Sequence, residues 1–71
     1  MNDIKLKEIQ NYLNNLFDTE NFVLKKRKNI EDSLEIYIKD EFLGLIYEEI
    51  DENEKAYQFH MTILDEDLKS E

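Results

Sequence analysis

Two apolar runs face each other across Asp40 and Glu41: Leu34 to Lys39 alternates apolar and polar side chains, whereas Phe42 to Tyr47 is apolar on both faces. The pattern reads as a β-hairpin whose second strand needs a cover on each side, and a chain of 71 residues readily supplies one. A two-residue turn at Asp40 and Glu41 pairs Lys39 with Phe42. It gathers Leu34, Ile36 and Ile38 with Leu43, Leu45 and Tyr47 on the core face. A three-residue turn would exchange the faces of the second strand.

The rest of the chain supplies the cover and two more strands. Residues 3–17 carry a helical period, with Leu6, Ile9, Tyr12, Leu13, Leu16 and Phe17 on one stripe and Lys7, Glu8, Asn11, Asn14 and Asn15 opposite. Asn2 or Asp3 suits the helix N-terminus, and Asp18-Thr19 its end. Strands are expected over residues 21–28, 34–39, 42–49 and 56–63, the last alternating Tyr57, Phe59, Met61 and Ile63 with Gln58, His60 and Thr62. Residues 29–32 read as a polar loop, and residues 64–71 as an acidic tail with one helical turn. Short connections make neighbouring strands antiparallel. The expectation is a single α+β domain in which an N-terminal amphipathic helix lies across a four-stranded antiparallel meander.

On this register the sheet's other face shows Tyr37, Phe42, Gly44, Ile46 and His60, apolar groups that one helix does not cover. They form the candidate interaction surface. Gly44, the only glycine, sits mid-strand, where a bulge or an aromatic ring lying over it is the ordinary reason for a missing side chain.

Chemistry narrows the function classes. With no cysteine there is no disulfide, thiolate metal site or thiol nucleophile. His60 is the only histidine, and a hydrolytic triad would have to bring Ser33 to it across the sheet. No catalytic set, cofactor site or metal site is read from these residues. Glu48 to Glu54 is rich in carboxylates but lacks the glycine and length of a calcium loop, and reads as a solvated acidic hairpin loop.

Charge is polarised. Residues 1–28 carry six basic and four acidic groups, whereas residues 29–71 carry three and fourteen, for a net −9 overall. The cluster Lys25, Lys26, Arg27 and Lys28 is the one candidate contact for phosphate or nucleic acid, which the acidic remainder opposes. Its ordinary role is a solubilising strand edge, and pairing with an acidic protein surface, including a second copy of this chain, suits it better. The N-terminus lacks a signal peptide's basic and apolar regions, and no apolar run approaches the length of a bilayer span. A soluble cytoplasmic protein is expected, with no membrane contact.

Three stretches also carry a resemblance: Glu35 to Gly44, Tyr12 to Phe17 and Tyr57 to Asp65. They resemble a family of short alphaproteobacterial proteins catalogued only as a domain of unknown function, over nearly the whole chain. The resemblance implies a bacterial cytoplasmic source and one small domain, and carries no activity or functional residue with it. Lys39 stands where that family has a glycine before Asp-Glu. The reading that results is a non-catalytic module that self-associates as a homodimer or binds another protein.

Overall fold

A computed structural model describes residues 1–69; Ser70 and Glu71 lie outside the described residues. Helix α1 spans Asp3–Leu16, followed by strands β1 (Phe22–Arg27), β2 (Ile30–Ile38), β3 (Glu41–Asp51) and β4 (Glu54–Met61) and a 3-10 turn at Asp65–Lys69. The strands form one antiparallel sheet in the order β1-β2-β3-β4, so the fold is the α+β meander that the periodicities predict.

Local chemistry sets the helix ends. The Asn2 side chain accepts the Lys5 N–H at 2.8 Å, which satisfies one free donor of the first turn. At the other end Asp18 adopts a positive φ of 55°, and the Thr19 N–H bonds the Asn14 carbonyl at 2.9 Å, a left-handed stop normally given to glycine.

Only Leu6, Ile9 and Leu13 of the apolar stripe turn toward the sheet; Tyr12, Leu16 and Phe17 are exposed, although the Phe17 ring meets Phe22 edge-on at 5.3 Å. The helix is rotated and displaced toward β1 because its polar side chains bond that strand's outer edge. Gln10 accepts the Leu24 N–H at 2.9 Å, Asn14 accepts the Phe22 N–H at 3.0 Å, and Asp3 pairs with Lys26 at 2.8 Å. Asn14 therefore faces protein, not solvent as the stripe predicts. The β1 edge, expected to be left open behind its lysines, is capped at Phe22 and Leu24 by these side chains.

The core comprises Leu13, Phe22, Leu24, Leu34, Ile36 and Ile46. Here the register departs from expectation. The turn residues are Lys39 and Asp40, with φ of 52° and 65°, so Ile38 pairs with Glu41 rather than Lys39 with Phe42. The register then shifts beyond Tyr37 and Phe42: Leu43 is the extra residue, and Ile36 pairs with Gly44 and Leu34 with Ile46. That bulge turns Gly44 and Ile46 inward, with Ile46 only 2% exposed, and sends Leu45 and Tyr47 to the outer face. A Cβ on Gly44 would lie 2.0 Å from the His60 carbonyl oxygen, so the glycine is needed where the β4 backbone approaches.

Two expected loops are strand. Residues 30–32 belong to β2 after a tight turn at Lys28 and Asn29, and the acidic run lies in the β3–β4 hairpin, turning at Glu52 and Asn53. Pairing of β2 with β3 stops at Ser33 and Tyr47, and past the half-buried pair Glu48 and Tyr57 the acidic hairpin continues as a two-stranded ribbon with both faces in solvent. Solvation of both faces lets such charged residues remain extended. Leu64, just before the final 3-10 turn, and Leu68 within it are both exposed.

Candidate functional site

The outer face of the sheet is built by alternation along four strands. One cross-strand row is Val23, Tyr37 and Phe42; the next is Lys25, Glu35, Leu45 and His60; the third joins Ser33, Tyr47 and Gln58. No helix lies on this side among the described residues, because α1 packs against the face that carries Leu34, Ile36 and Ile46.

Ring contacts organise the surface. Tyr37 and Phe42 meet edge-on with centroids 5.7 Å apart, and Tyr47 meets His60 in the same manner at 5.3 Å. The Lys25 ammonium sits 4.6 Å above the Tyr37 ring. The Tyr37 hydroxyl donates to Glu35 Oε1 at 2.8 Å, and this bond to the protonated phenol, aided by desolvation and the nearby carboxylate charge, raises its pKa above 10.0. The result is an aromatic patch with fixed rings, 53% exposed at Phe42.

Of the five predicted surface residues, Tyr37, Phe42 and His60 share this face, whereas Gly44 and Ile46 are buried on the other. Sequence reasoning missed Leu45 and Tyr47: a two-residue turn placed one position earlier still leaves both on the core face, and only the bulge at Leu43, which no local residue pattern marks, turns them outward.

The basic cluster is not one patch. Lys25 lies over Tyr37 on the outer face, Lys26 pairs with Asp3 beside the helix, Arg27 donates to Ser33 Oγ at 3.1 Å, and Lys28 stands in the turn. Ser33 is buried under that guanidinium, in a different cross-strand row from His60. Within the acidic ribbon Glu48 pairs with Lys55 at 3.4 Å, and Gln58 donates to Glu49 at 3.0 Å. Among the described residues no three histidine or carboxylate side chains converge to hold a metal ion.

A second surface lies on the helix side. Four strands about 4.8 Å apart present a face nearly twice as wide as a helix of roughly 10 Å, so a helix drawn to β1 leaves β4 half-covered. The resulting groove, about 290 Å³, runs between Ile9, Tyr12 and Leu13 of α1 and Ile46, Tyr57 and Phe59 of the sheet. Lys5 and Glu8, paired at 2.8 Å, stand at its rim. That pair raises the Lys5 pKa above the ordinary lysine value. The Tyr57 hydroxyl is buried without a hydrogen-bond partner.

One helix, one sheet layer and an uncovered aromatic face define an open-faced α+β domain. Residues 5–67 match the model of the family described as Protein of unknown function (DUF3126), and the chain belongs to that family. No curated protein and no solved structure matches the chain. No helix among the described residues is long and apolar enough to cross a membrane.

Proposed function

We propose that this protein is a non-catalytic interaction module of the bacterial cytoplasm whose docking face is the outer side of the sheet, contacting a second copy of itself or another protein. The observation that carries this reading is the aromatic patch of Tyr37, Phe42, Tyr47 and His60, held by ring contacts on a face that no other element covers. Aromatic side chains with few rotatable bonds lose little entropy on docking and dominate interface energetics. Lys25, over Tyr37 at the border of the patch, would steer acidic partners.

Light scattering over a concentration series at physiological salt tests the self-associating form. A dimer of the native chain that becomes monomeric in Phe42→Glu and Tyr47→Glu, with unchanged circular dichroism, supports it. A native monomer at every concentration removes self-association and leaves the partner heterologous. Unfolding of Phe42→Glu would place Phe42 in the core and defeat the assignment of the patch.

A further inference from the structure

We propose that the open edge of β4, with the groove beside it, adds an extended peptide segment from a partner protein, apolar at its centre and basic at both ends. This edge is separate from the outer aromatic face, so the two readings stand or fall independently.

The two edges of the sheet are treated differently. At β1 the outward N–H groups of Phe22 and Leu24 are bonded by Asn14 and Gln10, and lysines follow. At β4 the far edge is unpaired among the described residues, and its register with β3 runs unbroken from Gly44 and Met61 to Asp51 and Glu54. The strand has neither proline nor bulge, and beyond Glu54 and Lys55 at its hairpin end it has no carboxylate, lysine or arginine from Ala56 to Leu64 to protect the edge. A two-residue turn closes on a hydrogen-bonded pair, so alternation leaves the backbone groups of Lys55, Tyr57, Phe59 and Met61 pointing away from β3. The side chains of Tyr57 and Phe59 line the groove, where the Tyr57 hydroxyl lacks a partner. A strand added here would extend the sheet with its backbone and place alternate side chains over that apolar floor.

Charge selects the occupant. Residues 48–67 carry eight carboxylates against the single ammonium of Lys55, placed on both sides of the uncharged run. In an antiparallel pair of β4 strands, Asp65 to Asp67 of one copy would lie toward Asp51 to Glu54 of the other, like charges at both ends. A segment with lysine or arginine at each end meets opposite charge instead.

The test uses the full chain, isotopically labelled, and two synthetic peptides of alternating valine and threonine, one flanked by lysines and the other by glutamates. The lysine-flanked peptide is expected to bind, to weaken with salt, and to slow amide exchange at Lys55, Tyr57, Phe59 and Met61. The glutamate-flanked peptide should bind at least roughly tenfold more weakly. Met61→Pro, which removes one outward N–H, should reduce binding, while the exchange pattern of the native chain gives an answer if that variant does not fold. Equal binding of the two peptides, or no added protection at those four amides, overturns the proposal. Shifts confined to Tyr37, Phe42 and Tyr47 would move the peptide to the outer face. Protection that grows with protein concentration alone would assign the edge to a second copy.

Discussion

The Asn14 side chain brackets the Phe22 backbone: its amide oxygen accepts the Phe22 N–H at 3.0 Å, and its amide nitrogen approaches the Phe22 carbonyl at 3.5 Å. One helix residue thus takes the place of a neighbouring strand. Gln10, one helical turn earlier, repeats the contact at Leu24 two strand residues along, because four helix residues and two strand residues both advance about 6 Å.

Removing that bracket should loosen the helix from the sheet. Asn14→Ala leaves a partly buried backbone donor unpaired, and denaturant unfolding is expected to show a loss of about 1–3 kcal/mol. Asn15→Ala, at an exposed neighbour that bonds no strand through its side chain, should lie within about 0.5 kcal/mol of the native value. Equal effects at both positions would mean that the edge contact contributes nothing.

The bulge at Leu43 makes adjacent residues unequal. Ile46→Ala empties the core and should cost about 2–5 kcal/mol, whereas Leu45→Ala, on the outer face, should cost clearly less. Thermal unfolding of the two variants checks the register directly. The reverse order would restore the register without a bulge.

Lys39 and Asp40 both hold positive φ, a conformation that costs a residue with a side chain about 1–2 kcal/mol. Lys39→Gly should therefore raise the unfolding free energy by about 1 kcal/mol without altering the amide spectrum of the outer face. A destabilised variant would show that Lys39 contributes more through its side chain than its backbone loses.

Tyr37 gives the outer face a titration signature. Its pKa is raised chiefly because Glu35 accepts its hydroxyl proton, so the fold favours the neutral phenol. The stabilising contribution is complete below the unfolded value near 10.0 and is lost as pH rises through the higher folded value. Tyrosinate absorbance should show one residue ionising late in the native chain and at a lower pH in Glu35→Gln. Superimposable curves would remove the bond as the cause.

Much of this architecture was legible in the sequence, because periods of two and 3.6 residues report which side of an element is apolar. The helix, the four strands, the meander and the shared face of Tyr37, Phe42 and His60 follow from that alone. Gly44 and Ile46 were misplaced because the extra residue at Leu43 exchanges the faces beyond it, and neither strand's apolar period marks where an extra residue falls. Asn14 read as solvent-facing, and Gln10 went unremarked, because hydrophobicity does not distinguish an amide bonded to water from one bonded to a strand edge. The acidic ribbon read as a loop for a related reason: strands with two wet faces lack the alternation by which strands are recognised.

Every strand of this sheet pairs with the strand next to it in the chain, and the helix docks on the strand that follows it. No partner has to be found across a long intervening loop, so the entropy of loop closure is small at each step. Such a topology places the protein toward the fast end of small mixed folds, with hairpins able to form in any order. The stretch from Gly44 to Tyr47, which pairs with β2 on one side and β4 on the other, is where both hairpins must share one register.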